Sequence, residues 1–320
     1  MTRKVMVTTD GTDKDERAMA IAAALVELAD ADARVIRVFS PPVSTLSERA
    51  GALGVITAAH ELRDSVVQEV RDAAERLRAT THHEVKGDVI DGLDVATTLL
   101  EQVDKYEPDF VVMATRAAGA LGRAFQGSVA DELVRESSAP VVVVPPRAAY
   151  LGGKDVTLRR VLVPLDGSET ALRVIPSLME LPLASKLEFV LLQAVQPERT
   201  GGYAMPPGTP GVDAQHDDGN DEWTHVNAAV AERRLTDIAT RLRERGSHAE
   251  VRVIESRDAG DVIVDAIRNE LVELIAMTTQ GESGLRRMVL GSVAEDVVRR
   301  SEIPVLLVTA RSGSSVPVSA

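Results

Sequence analysis

The feature that most constrains this chain is an internal duplication. Residues 127–144 (GSVADELVRESSAPVVVV) align without a gap to residues 291–308 (GSVAEDVVRRSEIPVLLV), with ten of the 18 positions identical, where about one is expected from average composition. Earlier in each half, VMVTTDGT from Val5 to Thr12 matches VLVPLDGS from Val161 to Ser168. A chain of 320 residues already suggests two domains at roughly 150 residues each, and the repeat makes them two copies of one unit. The expected division is a first domain over 1–146, a linker over 147–158, a second domain over 159–310 and a disordered tail over 311–320. Pro145, Pro146, Gly152 and Gly153 mark the seam as a linker, because such residues interrupt regular structure.

Within each copy, short Val/Ile/Leu runs alternate with longer stretches of helical period, the pattern of βα units and a parallel sheet. Strands are expected near 3–9, 33–39, 83–88, 109–115 and 140–145, and again near 159–165, 187–194, 249–255, 273–278 and 304–309. Helices are expected over 13–29, with a capping box from Thr12 to Asp15, then over 58–79, over 94–106 and after Ser128, with a counterpart to the second around 226–242. The segment from Gln196 to Glu222, with four prolines and five glycines, reads as an irregular surface loop. Aromatic residues are only 2% of the chain, so the core must be aliphatic and a base-stacking platform has no material.

Composition removes several functions. With Lys+Arg 36 against Asp+Glu 49 the net charge is −13, which argues against a phosphate-backbone footprint and a polybasic membrane patch. Nucleic acid and membrane are therefore not expected partners. The absence of cysteine excludes disulfides, thiolate metal sites and cysteine nucleophiles, and fits a reducing compartment. No run approaches the roughly 18 apolar residues of a membrane helix, and Arg3 and Lys4 lead into only three apolar residues, far short of a secretory segment. The chain reads as cytoplasmic. The six histidines, including adjacent His82 and His83, show no metal spacing, and neither a Gly-x4-Gly-Lys-[ST] loop nor a Gly-x-Ser-x-Gly elbow occurs. No catalytic residue and no metal ligand is nominated.

Open parallel sheets bind ligands beyond the carboxyl ends of their strands, where strand order reverses. Two segments compete for that place: the turn after strand one, Asp10-Gly11-Thr12 or Asp166-Gly167-Ser168, and the segment after strand four, where Thr278 and Gly281 precede Gly291-Ser292. Glycines let a ligand approach the backbone, and a helix N-terminus offers free N–H groups to an anion.

The spacing Thr278-x2-Gly281-x9-Gly291-Ser292, after an apolar strand and before a helix, resembles the G-x2-G-x9-G-[ST] loop of the universal stress protein family. With the Asp after strand one, the resemblance covers essentially the whole chain, twice. It implies an α/β fold of two tandem open parallel five-stranded sheets of order 3-2-1-4-5, helices on both faces, of the adenine nucleotide alpha hydrolase-like or Rossmann-like type. It also implies ATP as ligand, with AMP and phosphate-bound Mg as variants. Carried over, Pro164, Leu165 and Asp166 would line the adenosine end and the Ala194 backbone would meet adenine. Met277, Thr278 and Gly281 would flank ribose and phosphate, and Gly291, Ser292 and Val293 would cradle the phosphates. In the first copy Thr8, Thr9, Asp10, Val38, Met113, Gly127, Ser128 and Val129 fit, but Ala114 and Ala117 stand where the early loop glycines belong. Gly119 and Gly122 mimic the motif at the wrong distance, since only four residues separate Gly122 from Gly127. The family also implies pairing through the final strands, Val141 to Val144 and Val305 to Val308, giving an intramolecular pseudo-dimer and room for a homodimer.

Simpler readings stand beside these. Ser128 with Asp131 and Ser292 with Glu295 satisfy a helix capping box, Asp before Gly is common turn chemistry, and Met113 and Met277 suit a core. The leading reading is a non-enzymatic stress or signalling module whose nucleotide occupancy controls conformation or partner binding. The alternatives are a slow ATP hydrolase or phosphotransferase, with Arg286 and Arg287 supplying charge but no base evident, and a nucleotide-free structural module.

Overall fold

The computed structural model describes residues 2–12, 15–40, 52–115, 129–146, 148, 156–196, 228–279, 290–309 and 312. The first half forms β1 (Arg3–Thr8), α1 (Asp15–Ala29), β2 (Ala31–Phe39), α2 (Ala52–Thr80), β3 (Val85–Asp91), α3 (Val95–Tyr106), β4 (Phe110–Ala114), α4 (Val129–Glu136) and β5 (Val141–Val144). The second half forms β6 (Arg160–Pro164), a 3-10 turn (Ala171–Arg173), α5 (Val174–Met179), a second such turn (Ala184–Lys186), β7 (Glu188–Val195), α6 (Ala228–Glu244), β8 (His248–Glu255), α7 (Ala259–Asn269), β9 (Leu274–Thr278), α8 (Ser292–Arg300) and β10 (Val305–Val308). All ten expected strands are present, each end within three residues of its expected place.

Strand order is β3-β2-β1-β4-β5 in one half and β8-β7-β6-β9-β10 in the other, the expected 3-2-1-4-5 twice. Neighbours within each half are parallel. The halves meet in an antiparallel ladder that sets Val141 opposite Leu307, Val142 opposite Leu306 and Val143 opposite Val305. Two five-stranded units thus become one ten-stranded sheet. Alternation along each strand sends side chains to opposite faces, so two cores form. One packs α1, α2, α5 and α6 against Val5, Val7, Phe189, Leu191, Val142 and Leu306; the other packs α3, α4, α7 and α8 against Met6, Ile36, Val143 and Val305. Each core runs across the seam, because paired seam residues face the same side.

Local chemistry explains where the elements depart from expectation. Helix α2 begins at Ala52 rather than near residue 58, and Gly54, a poor helix former, masks that start in the sequence. The second half has a six-residue α5 where the first has the 15-residue α1. Pro176 fits the first turn of α5, where its missing N–H costs nothing, and Pro182 follows its end. The Thr12 hydroxyl donates to Asp10 Oδ1 at 2.5 Å, so it belongs to the turn before the helix. Ala148 and Leu158, at the two ends of the expected linker, are buried in the core, while Gly152, Gly153 and Lys154 lie outside the described residues. The loop after Gln196 also lies outside them, as does the tail except Ser312, whose Oγ accepts the Thr309 N–H at 2.8 Å. Among the described residues no helix is long and apolar enough to cross a membrane.

At the amino-terminal edge of the second half, Arg160 reaches Glu188 and Glu250 at 3.2 Å and Glu270 at 3.3 Å, and Arg252 reaches Glu250 at 2.7 Å and Glu270 at 2.6 Å. This network ties the starts of β6 and β7 to β8 and the end of α7. The hydrogen bond from Arg160 holds the Glu250 carboxyl below its ordinary range.

Two outcomes are expected. Leu306→Ala, at a seam residue only 1% exposed, costs about 2–5 kcal/mol, whereas Leu93→Ala, at 91% exposure, stays within about 0.5 kcal/mol; urea unfolding measures both. A carboxyl with a lowered folded-state pKa contributes stability above its unfolded value and loses it as pH falls through its folded value. Arg160→Met therefore destabilises at neutral pH, and its deficit shrinks below the ordinary carboxylate range, near about pH 3. Unfolding at both pH values checks the sign.

Candidate functional site

Parallel pairing puts the carboxyl ends of β6, β7 and β9 on one edge of the sheet. The pairs Val161 with Leu274 and Leu162 with Ile275 carry Met277 level with Pro164 and Thr279 level with Asp166. The turn after strand one and the segment after strand four therefore meet at the switch point, in the second half and, through β1 and β4, in the first. Because the seam is antiparallel, the two crevices open at opposite edges of the sheet.

The Asp-Gly-[ST] turns are built alike. Asp10 Oδ1 accepts the Thr12 N–H at 3.1 Å, and Asp166 Oδ1 accepts the Ser168 N–H at 2.9 Å. Each turn needs a left-handed residue, supplied by Gly11 at φ 78° and Gly167 at φ 90°. Both aspartates are exposed at the sheet edge. Thr8, at the end of β1, is buried; the Thr9 N–H donates to the Ile36 carbonyl at 3.0 Å and the Leu165 N–H to the Leu192 carbonyl at 2.8 Å. Val38 in β2 and Ala194 in β7 lie half-buried next to the carboxyl ends of their strands.

On the other side of the crevice Met113 and Met277 are buried strand residues within the face packed by α3, α4, α7 and α8. Ala114 pairs with Val144 and Thr278 with Val308, and neither has positive φ. No backbone strain therefore calls for glycine at these two positions. The Thr279 N–H donates to the Val308 carbonyl at 3.0 Å, and the Gly291 N–H donates to the Thr279 carbonyl at 2.7 Å, tying the start of α8 to the end of β9. Ser292 is the first residue of α8; Gly291 is its cap, with no side-chain hydrogen bond. The capping-box alternative for Ser292 is not what forms, since the helix begins one residue earlier than a serine cap requires. By contrast, α3 and α7 are capped by Asp94, which accepts from the Thr97 N–H, and by Asp258, which accepts from the Asp261 N–H. Ser292 and Val293 are exposed, and Val129 begins α4 in the first half. Gly127, Ser128, Ala117, Gly119, Gly122, Gly281, Arg286 and Arg287 lie outside the described residues.

Three features of this edge lie outside the motifs named from the sequence. Thr115 and Thr279 recur at one position, and each donates its N–H to the final strand, Thr115 to the Val144 carbonyl at 2.9 Å; their repetition was a usable signal. Beside Gly11, Arg37 of β2 pairs with Glu69 of α2, and a Cβ on Gly11 would land on the Arg37 guanidinium. In the second half Gln193 of β7 takes the place of Arg37, and Arg234 of α6 that of Glu69. Arg234 pairs with Glu169 at 3.5 Å, and Gln193 Oε1 is the one buried side-chain oxygen or nitrogen without a hydrogen-bond partner among the described residues. Such an atom costs about 1–3 kcal/mol.

A cavity of about 330 Å³ lies at the opposite edge of the first half, among Lys4, Arg34, Lys86, Asp32, Glu84 and Tyr106. Arg34 there pairs with Asp88 at 2.5 Å and Lys86 with Glu84 at 3.0 Å, Lys4 donates to the Tyr106 carbonyl at 2.9 Å, and the cavity is remote from the switch point. Among the described residues no group of three or more His, Asp or Glu side chains is placed to hold a metal.

Fold and crevice together define a tandem, doubly wound α/β protein with one switch-point cleft per half. The family model described as the universal stress protein family matches residues 1–145 and again 157–309. The chain belongs to that family. It is 25% identical over 252 residues to universal stress protein Rv2005c of Mycobacterium tuberculosis, covering 77% of this chain and 76% of that one. To universal stress protein MJ0577 of Methanocaldococcus jannaschii it is 24% identical over 156 residues, covering 48% of this chain and 96% of that one. The crystal structure of a universal stress protein from Archaeoglobus fulgidus has the same fold, with a TM-score of 0.65 at 17% identity over 96% of both chains.

Gly246→Ala, at φ 89° with no neighbour of the new methyl nearer than 3.8 Å, is expected to cost only the left-handed penalty of about 1–2 kcal/mol. Gly11→Ala costs more, because it also displaces Arg37. Thermal unfolding of the two variants gives the comparison.

Proposed function

We propose that this chain is an ATP-binding stress-response or signalling module whose nucleotide occupancy changes its conformation or its partner binding, and that it is not an enzyme. The observation that carries the reading is the start of α8 at Gly291 and Ser292, where no side chain caps the helix, at the same carboxyl edge of the sheet as the Asp166 turn. Free N–H groups at a helix start favour an anion, and the loop between Thr278 and Gly291 has the family's spacing. In this reading Pro164, Leu165, Asp166 and the Ala194 backbone hold adenosine. Met277, Thr278 and Gly281 flank ribose and phosphate, and Gly291, Ser292 and Val293 take the phosphates, with Mg or with AMP in place of ATP as variants.

The first half would use Thr8, Thr9, Asp10, Val38, Met113, Gly127, Ser128 and Val129, with Ala114 and Ala117 adding methyl groups where a ligand approaches. The second site is accordingly the working one. The halves, as domains over 1–146 and 159–310, act as a pseudo-dimer joined through their final strands, with further homodimerisation open to them, and the protein works in the cytoplasm.

Native mass spectrometry with ATP titration tests this on wild type, Gly281→Val and Gly127→Val. One nucleotide per chain, lost in Gly281→Val and kept in Gly127→Val, is the expected result. Two per chain would make both sites competent, and none would leave only the structural module.

A further inference from the structure

Strand register lines up one row of residues at the carboxyl edge of each half. In the second half Leu162 pairs with Ile275 and Pro164 with Leu192, which puts Thr279, Asp166 and Ala194 at one level, and Ala194 pairs with Ile254 of the edge strand β8. The matching row of the first half is Thr115, Asp10, Val38 and Ile90, set by the pairs Val7 with Val112, Thr8 with Ile36 and Val38 with Ile90. Side chains alternate between the two faces of a sheet, and paired residues share a face. Ala194 therefore lies on the face of Leu192, two residues back, and Ile254 lies on it beside Ala194. That is the face of Met277, packed by α7 and α8, and so the face of the crevice.

The row changes character along its length. At the switch point it is polar, with the exposed Asp166 carboxylate beside the level of Thr279. At its outer end it is apolar, with the Ala194 methyl and then Ile254, whose side chain is 40% exposed. A single exposed apolar side chain is ordinary in itself, and the place of this one is what gives it meaning. Ile90, its counterpart, is half-buried beside Val38, which carries two more methyl groups than Ala194. The second copy thus leaves bare the apolar surface that the first copy covers more fully. Two strand spacings, about 10 Å, separate the level of Asp166 from Ile254, and a nucleoside whose sugar lies at Asp166 brings its base over Ala194 and Ile254. We infer that Ile254 is a base-binding residue of the second-half site, its side chain packing against the flat face of the bound adenine. This rests on the nucleotide reading above and adds to it the residue that covers the base. Base faces are commonly held by aromatic rings; with aromatic residues only 2% of this chain, an aliphatic side chain takes that part. It meets the face that all purines share, so it adds affinity for a base without choosing among them.

The test is calorimetric titration with ATP at several temperatures on wild type, Ile254→Ala, Ile254→Leu and Ile90→Ala, with thermal unfolding of each apo protein. Ile254→Ala is expected to weaken ATP about fivefold and to make the heat-capacity change of binding less negative, because less apolar surface is buried with the ligand. Ile254→Leu keeps the apolar area and stays within about twofold of wild type. Ile90→Ala, the same change in the other copy, leaves ATP affinity unaltered. Apo Ile254→Ala unfolds close to wild type, since the side chain it shortens is exposed. Wild-type affinity and heat capacity in Ile254→Ala would overturn the inference, as would a loss in Ile254→Leu or in Ile90→Ala equal to that in Ile254→Ala. Failure of wild type to bind ATP would instead remove the nucleotide reading itself.

Discussion

The antiparallel ladder between β5 and β10 is the contact on which the rest of the molecule depends. Each of these strands is four residues of Val and Leu, buried throughout, and each would end a five-stranded sheet as a bare apolar edge. Such an edge invites pairing with another chain; here the two edges cover each other. Three paired positions carry both cores across the seam, so the residues that close one half also close the other. The same ladder fixes orientation. Since each half is internally parallel and the join is antiparallel, the carboxyl edges point opposite ways, and the two crevices work apart.

Duplication followed by separate histories is visible in what each copy does with shared positions. The strand-one turn is preserved to the level of one hydrogen bond, with Asp10 and Asp166 each accepting from the backbone two residues on. Around it the copies diverge. The long α1 of the first half is replaced by a 3-10 turn and a short α5, and the ion pair of Arg37 with Glu69 is replaced by Gln193 and Arg234. The amino-terminal edges differ too: Lys4 and Arg34 stack on Tyr106 in the first half, each 5.2 Å from the ring centre, and the glutamate-rich network around Arg160 takes that place in the second. Parallel sheets tolerate this because their cores are set by strand alternation, which leaves edge and surface positions free to change.

Much of the fold was legible in the amino-acid sequence. Apolar runs between turn signals placed the inner strands, because a strand buried on both faces has no other composition available to it, whereas the edge strands β3 and β8 mix charged residues with Val and Ile and are only partly buried. Glycine and proline blurred the helices instead: Gly54 hid the start of α2, and Pro176 with Pro182 broke the first helix of the second half. For the crevice, the Asp-Gly turns and the Gly291-Ser292 start were readable from spacing alone. The role of Ser292 was not, since whether a serine caps a helix or begins it turns on one residue of backbone geometry. Gln193 was invisible for a different reason. A lone glutamine in an apolar strand reads as an edge residue, and only the three-dimensional surroundings reveal that it is buried, beside a glycine and without a partner.

What the sequence alone determined was the set of local, repeating features: two copies, alternating strands and helices, left-handed glycines after each first strand, and an aliphatic core. These follow from steric and solvation rules that act over a few residues. Only the tertiary structure decided that the copies share one sheet, that their crevices face away from each other, and that the same pair of positions is an ion pair in one half and an unsatisfied amide in the other. Those outcomes depend on hydrogen bonds and packing between residues far apart in the chain, where the partner of a group is fixed by strand register and by no pattern in the neighbouring sequence.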